Sequence, residues 1–503
     1  MTAERGAPGT WQHLAYWERG QIALGRTAAE MPVSDVTAAR AIAAEHEGLL
    51  HFRHISGWHV WDGRCHAPDH GSALTRIVTG WADRAQAVFD HARQQVHARL
   101  ALDGHEPGAA MERAFAAEWE PFAAAQKYAA GLHRNAGRTA LESTLAALLR
   151  VPESSMDERA PYLLNVANGT VDLRTGQMRP HDPRDLITYC LPTPYVPGAQ
   201  CPRFLALLHG LCGHDRDVTW YLARLLGYAL VGANPDQVCV FLSGPSNNGK
   251  STVMHIVSEV LGELAHESQA TLITVSKHGR NARVENSIRG RRFITISETS
   301  GHMSIEEGQL KRITGDPVIS VDQHYAKEEL RTPVTWLIVV VTNEMPALAS
   351  FDDAVRRRVI VIPGGPPVPP EARDKHLAAR ILAEESEGIL ALLVQACAAW
   401  SRDGLGPAPA AVAAATRGYE AEQDTVTAWL SDCCEFSANG HLAFVGQSAA
   451  WQGYQQWSRG SARVTRNEFY ARLAKIPGVT RNEISRRYEG IAWKPGSDPT
   501  LFG

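Results

Sequence analysis

The stretch Gln237-Val-Cys-Val-Phe-Leu-Ser-Gly-Pro-Ser-Asn-Asn-Gly-Lys-Ser-Thr252 constrains this chain more than any other. An apolar run leads into a loop that ends in Gly249-Lys250-Ser251. Apolar residues then recur at Val253, Ile256, Val257, Val260 and Leu261, up to Gly262. The run predicts a buried strand, and the helical spacing after it predicts a helix closed at Gly262. In this order the three pieces make a phosphate cradle. Backbone N–H groups and the positive end of the helix dipole converge on an anion. The candidate ATP-binding residues are therefore Gly244, Pro245, Ser246, Asn247, Asn248, Gly249, Lys250, Ser251 and Thr252. Lys250 reaches the terminal phosphates and the Ser251 hydroxyl ligates Mg²⁺. The plain alternative, a glycine turn without a ligand, is disfavoured by the flanking strand and helix.

The chain has 503 residues, too many for one core, so roughly three or four domains are expected. Its formal net charge of −4 excludes bulk attraction to nucleic acid, and any such binding must use local basic surfaces. No apolar stretch reaches the length of a membrane span, and the N-terminus lacks an apolar signal region, so no membrane partner is expected. The eight cysteines are scattered, which fits reduced thiols in a cytoplasm.

The organisation reads as five stretches: a mixed α+β region (1–135), a domain ending in helices (136–232), an α/β motor (233–365), a helical block (366–425) and a small C-terminal module (426–503). In the first, His51-Phe-Arg-His-Ile-Ser-Gly-Trp-His-Val-Trp-Asp-Gly63 alternates and ends at Asp62-Gly63, so it reads as a hairpin. His51, His54, His59, Cys65, His66 and His70 match no paired metal-ligand spacing, and packed or solvated histidines are the better reading. Asn168-Gly169 and Thr175-Gly176 signal turns in the second stretch. Between motor and helical block, Pro363-Gly-Gly-Pro-Pro-Val-Pro-Pro370 reads as a stiff linker.

Within the motor, Arg292-Phe-Ile-Thr-Ile-Ser-Glu298 predicts a strand ending in an acid, 48 residues after Lys250. Such an acid polarises the attacking water or helps to hold Mg²⁺. Alone it is an ordinary strand end; beside a phosphate loop it is a candidate. Trp336-Leu-Ile-Val-Val-Val-Thr-Asn343 is apolar throughout, as a strand buried between helices must be, and Asn343 at its end can sense a γ-phosphate. Gln309–Gly315 suits a helix, and 318–327 a hairpin. Lys311, His324, Tyr325 and Lys327 are candidates for tracking a single strand by charge and stacking; an ordinary exposed turn is the alternative. Arg356, Arg357 and Arg358 stand before the strand Val359–Pro363 as a solvated face or as an arginine finger for a neighbouring subunit.

This ordered set resembles the superfamily 3 helicases. It is similar above all to the helicase portion of the phage and plasmid primase–helicase family, whose amino-terminal region is shared with poxvirus replicative nucleoside triphosphatases. The resemblance rests on Gly244–Thr252, Ser297-Glu298, Lys311 with Thr314-Gly315-Asp316, Thr342-Asn343 and Arg357-Arg358. Upstream it rests on Leu164–Gly176 and Ile187–Tyr195, and it spans about residues 40–500. It implies a modified AAA+ fold, a homo-hexameric ring and ATP-driven 3′→5′ movement on single-stranded DNA in a bacterial host cytoplasm. It implies Glu298 as water activator and Mg²⁺ partner, Asn343 as γ-phosphate sensor, Arg357 or Arg358 acting in trans, and Lys311 with 322–327 facing the pore. Three departures stand out. Ser297-Glu298 replaces two adjacent acids, Arg356 replaces a tryptophan, and no Asp-x-Asp pair precedes the shared region. Primer synthesis is therefore not expected, and a separate primase or polymerase is.

At the C-terminus Thr465-Arg-Asn-Glu468 is a capping-box pattern opening a helix to about Lys475. A β-wing follows, over a core of Trp451, Tyr454 and Trp457. This resembles a winged-helix module, with Arg466, Arg472, Lys475, Arg486 and Arg487 as candidate DNA contacts; a structural cap is the alternative. The reading is an ATP-dependent replicative helicase of a phage, plasmid or integrated element, acting on single-stranded and forked DNA. The rivals are an ATP-switched initiator or loader, a defence ATPase, and a bifunctional primase–helicase.

Overall fold

The computed structural model describes residues 34–71, 73–153, 156–157, 160–274, 282–297, 304–321, 330–348, 352–437, 443–458 and 464–499. The chain divides into two units: Met1–Ala160 with Ala167–Thr170 and Arg179–Cys190, and Pro161–Val166 with Val171–Met178 and Leu191–Gly503.

In the first unit α1 (Asp35–Glu45) starts at Ser34. The Ser34 hydroxyl takes the Thr37 N–H while the Thr37 hydroxyl takes that of Ser34, so two otherwise orphaned donors are satisfied. A sheet of β1 (Leu50–Arg53), β2 (Gly57–Trp61) and β3 (His66–Pro68) follows, antiparallel throughout. The aromatic run thus turns twice. Its first reversal is at 54–56, not at Asp62-Gly63; the latter turns β2 into β3, with Asp62 Oδ1 accepting from the N–H groups of Arg64 and Cys65 at 2.8 Å each. Helices α2 (Ala73–Leu102), α3 (Ala109–Gly131) and α4 (Asn135–Leu148) complete the unit. Its core joins Ile42, Leu50, Leu74, Val78, Leu141 and Leu145. Strands β4 (Leu163–Val166), β5 (Gly169–Asp172) and β6 (Gln177–Arg179) come next, with Asn168 and Thr175-Gly176 in the turns between them, as their turn chemistry predicts.

The second unit opens with α5 (Pro202–Leu211) and α6 (Arg216–Tyr228). Five strands then form its main sheet: β7 (Cys239–Ser243), β8 (Ala265–Ser268), β9 (Phe293–Ser297), β13 (Leu337–Thr342) and β15 (Val359–Pro363). Every pair is parallel, in the order β15-β7-β13-β9-β8. All six residues of β13 are buried. A parallel strand covered on both faces must be apolar throughout, which is why Leu-Ile-Val-Val-Val does not alternate. Helix α7 (Lys250–Leu261) buries Val253, Ile256, Val257, Val260 and Leu261, and Gly262 closes it at φ 49°.

Between the main strands lie α8 (Ala282–Ser287), β10 (Ser304–Ile305), α9 (Glu307–Gly315), a hairpin of β11 (Val318–Val321) and β12 (Leu330–Pro333), β14 (Ala347–Leu348) and α10 (Asp353–Arg356). Beyond the sheet run α11 (Leu377–Asp403) and α12 (Ala410–Gln423). Helix α11 lies along α6, where Tyr228 and Trp400 meet with ring centroids 4.7 Å apart. The sheet core centres on Phe241, Ile294, Ile296, Trp336, Ile338 and Val340, and Tyr419 of α12 joins it.

The remaining elements are α13 (Thr425–Cys433), β16 (Cys434–Phe436), β17 (Phe444–Gly446), α14 (Gln447–Trp457), α15 (Arg466–Leu473), β18 (Thr480–Asn482), β19 (Arg487–Glu489) and β20 (Ile491–Trp493). Strands β18 and β19 form a hairpin just after α15. Helix α15 ends two residues before Lys475, its first turn held by the reciprocal Thr465–Glu468 cap. Tyr454 is fully buried against Trp429 and Phe469, and Trp451 and Trp457 pack at the edge of the same cluster.

Candidate nucleotide-binding site

The loop joining β7 to α7 is shaped by its own residues. Gly249 precedes the helix at φ 95°, a left-handed conformation that a side chain strains. Asn248 is buried, while Pro245, Ser246 and Asn247 are exposed. Lys250 N–H meets Asn248 Oδ1 at 3.4 Å, and the N–H groups of Ser251 and Thr252 follow in the first turn of α7, where no carbonyl within the helix can reach them. Ser251 is exposed there.

Lys250 is only 5 % exposed. A buried ammonium must be surrounded by acceptors. Its Nζ donates to the carbonyls of Gly244 (2.6 Å) and Pro245 (2.8 Å) and to Oδ1 of Asn248 (3.1 Å) and Asn343 (3.2 Å). The last bond crosses the sheet. Strand β13 lies between β7 and β9, with Thr342 level with Ser243 and Val341 level with Ser297. Asn343 therefore emerges beside the phosphate loop, and Ser297 on the far side of the same strand. Glu298, next in the chain, lies outside the described residues.

The loop is braced from a place the sequence does not advertise. Gly364 N–H donates to Ser243 O (2.5 Å) and Gly365 N–H to Leu211 O (2.6 Å). Asn248 Nδ2 donates to Gly365 O (3.2 Å), and Val368 N–H to Asn247 O (2.8 Å). A Cβ on Gly364 would press on the Asn248 amide and lie 2.9 Å from Ser243 O. The proline-rich stretch after β15 is thus a brace for the phosphate loop as well as a spacer. Its Gly-Gly pair, in a place where nothing turns sharply, was the one available signal.

The three arginines differ. Arg356 pairs with Glu420 of α12 and with Asp353. Arg358 turns inward, donating to Ala354 O (2.8 Å) and Gln237 Oε1 (2.9 Å). Gln237 in turn donates to Gly315 O at 3.1 Å. Arg357 is exposed, its Nε on Asp353 O at 3.2 Å. Lys311 binds Asp352 (2.5 Å), which caps α10 through Val355 N–H. Partial burial opposes the Asp352 charge, but the bonds from Lys311 and Val355 prevail and hold its pKa below the usual carboxylate range.

His324, Tyr325 and Lys327 fall between the paired Val321 and Leu330 and lie outside the described residues. In the C-terminal region Arg466, Lys475 and Arg486 are exposed. Arg466 touches the Tyr470 hydroxyl (2.9 Å), Arg472 pairs with Glu468 (3.4 Å), and Arg487 pairs with Glu489 (3.1 Å) while lying over the Phe444 ring. Among the described residues no group of three or more His, Cys, Asp or Glu is placed to hold a metal ion, and no helix is long and apolar enough to cross a membrane.

This donor set fits a nucleoside triphosphate: a fan of backbone N–H groups, one buried ammonium, and an exposed hydroxyl at the helix N-terminus able to reach a Mg²⁺ ion. Residues 39–212 match the family described as D5 N terminal like, and residues 242–358 match a family of unknown function, DUF5906. A protein of Acanthamoeba polyphaga mimivirus named a "putative helicase" is 27 % identical over 207 residues, 40 % of this chain and 22 % of the relative. A Frog virus 3 protein similarly named is 27 % identical over 154 residues, 30 % of this chain and 16 % of the relative. The chain thus spans about a fifth of the length of these curated relatives. The solved C-terminal region of NrS-1 aligns with 61 % of this chain and 80 % of its own at 13 % identity and a TM-score of 0.39. The chain carries a D5 N-terminal-like region and is similar, over part of its length, to viral proteins named putative helicases.

Proposed function

We propose that this chain is the ATP-hydrolysing motor of a replicative DNA helicase from a phage, plasmid or integrated element. It is a modified AAA+ domain working as a homo-hexameric ring that moves 3′→5′ on single-stranded DNA. The bond from buried Lys250 to Asn343 carries the reading. It ties the phosphate loop to the strand end where a γ-phosphate sensor has to stand, and that strand separates the loop from the strand leading to Glu298. Bound ATP supplies the phosphoanhydride to be cleaved, and Mg²⁺ neutralises its developing charge. Lys250 and the N-terminal N–H groups of α7 hold phosphate oxygens, Ser251 offers an oxygen to the metal, and Glu298 orients water. Arg356 and Arg357 are both exposed, but Arg356 is engaged by Glu420 and Asp353, so Arg357 suits a finger for the next subunit. Such a finger contributes about 10³–10⁵ in rate.

Helix α15 with the β18–β19 hairpin supports a winged-helix reading of the C-terminal module, with Arg466, Lys475 and Arg486 toward DNA and Arg472 and Arg487 at its margin. Lys311 and the tip of the β11–β12 hairpin would face the strand in the pore. Primer synthesis belongs to a separate primase or polymerase in the host cytoplasm.

The test is ATP hydrolysis with and without single-stranded DNA, then unwinding of a 3′-tailed fork, for wild type, Lys250→Ala and Glu298→Gln. DNA-stimulated hydrolysis with unwinding, both lost in the variants, is the expected result. Hydrolysis indifferent to DNA, without unwinding, would instead make this an ATP-switched initiator or loader.

A further inference from the structure

One face of α12 is polar where it meets the motor, and each of its side chains has a separate target. Thr416 Oγ1 accepts from Val361 N–H of β15 at 3.1 Å. Tyr419 is buried and its hydroxyl donates to Pro346 O at 2.7 Å. Glu420 binds Arg356, with Nε at 2.6 Å. Gln423, 3 % exposed, accepts from Leu348 N–H at 2.9 Å. The positions 416, 419, 420 and 423 share one helical face.

Two of these targets lie on the short segment that leaves Asn343. Pro346 is three residues beyond the sensing amide, and Leu348 is in β14. Strand β14 pairs in parallel with β10, Ser304 against Ala347 and Ile305 against Leu348. Strand β10 is the next described strand after β9 in the chain, so Gln423 anchors the strand paired with it, and Tyr419 anchors the turn after Asn343.

Both bonds are buried and specific. An unmade bond at Leu348 N–H would leave a buried donor without a partner, an unfavourable state that the helix removes only when it docks in this register. The aromatic ring of Tyr419 packs toward Phe241 of β7, centroids 6.1 Å apart, so the hydroxyl has little room to wander.

We propose that Tyr419 and Gln423 are positioning residues for hydrolysis. They hold the Asn343 segment at the height where its amide meets the phosphate loop, while Glu420 ties the arginine helix to the same rigid element. The proposal rests on the ATPase reading above. It assigns α12 a task exercised through the segment after Asn343 rather than on the phosphate loop.

The test measures kcat and KM for ATP in the full chain. Tyr419→Phe keeps the ring and removes the donor; Gln423→Leu keeps the bulk and removes the acceptor. Each is expected to lower kcat by about five- to tenfold with KM within about twofold, because the interaction lost serves the hydrolytic step and the loop that binds phosphate is untouched. Thr416→Val, which loses only the bond to the sheet edge, is expected to keep kcat within about twofold. A thermal melt of each variant checks that it is folded. Unchanged kcat in folded Tyr419→Phe and Gln423→Leu, or an equal fall in Thr416→Val, overturns the proposal while leaving the ATPase reading intact. Absence of hydrolysis in the wild type overturns both.

Discussion

At the scale of single residues the site is governed by how a buried charge is satisfied. Lys250 finds four oxygen acceptors, three of them in its own loop and one on Asn343. The lysine was legible because its motif is local. The Asn343 contact was only implied, because it depends on which strand lies beside β7. Gly364 was missed: its backbone touches Ser243 and its absent side chain makes room for Asn248. Gly364→Ala should raise KM for ATP at least about tenfold in a folded protein, since the loop must shift to admit a methyl group. The arginines separate in the same way. Arg357→Ala should leave stability within about 0.5 kcal/mol, as an exposed substitution does. Arg358→Ala should cost about 2 kcal/mol, because Gln237 Oε1 and Ala354 O lose their donor. Urea denaturation of both variants decides it.

At the scale of elements, pattern succeeded where burial is uniform. Strands β7 and β13 read correctly because a strand covered on both faces has no alternation to hide. Helix α7 read correctly because its apolar stripe and its closing glycine agree. The aromatic run 51–63 was misjudged by one turn, since Asp62-Gly63 does reverse the chain but into a third strand. For α15 the reciprocal bonds of Thr465 and Glu468 are present. Thr465→Ala should destabilise the C-terminal region by about 1 kcal/mol, measured by chemical denaturation followed through tryptophan fluorescence.

At the scale of the molecule, the first unit holds a cluster of histidines that makes it sensitive to acid. In the first, His59 is buried in β2 with Nε2 against the Arg53 guanidinium at 3.1 Å and Nδ1 on Gly57 O at 3.2 Å. Burial, then Arg53, lowers its pKa from 6.5 to about 4. His51 and His66 are lowered as well, in each case mainly by burial. Above pH 6.5 the ring is neutral folded or unfolded, and the stability is complete. Between 6.5 and 4 the unfolded chain takes up the proton and the folded chain does not, so stability falls; below 4 this group removes no more. The loss from His59 alone is about 3 kcal/mol. Thermal melts between pH 7 and pH 4 should show it, and His59→Gln should flatten the dependence.

The amino-acid sequence by itself determined what is local: the strand–loop–helix of the phosphate cradle, the buried parallel strands, and the capped helix near the C-terminus. Each follows from neighbours in the chain, through periodicity, backbone freedom and capping chemistry. Only the tertiary structure decided strand order. That order set Asn343 against Lys250, drew Gly364 and Gly365 under the loop, turned Arg358 inward and Arg357 outward, and laid α12 along the sensor segment. These contacts join residues from about 70 to about 150 positions apart, and no local propensity records which distant backbone will lie within a hydrogen bond.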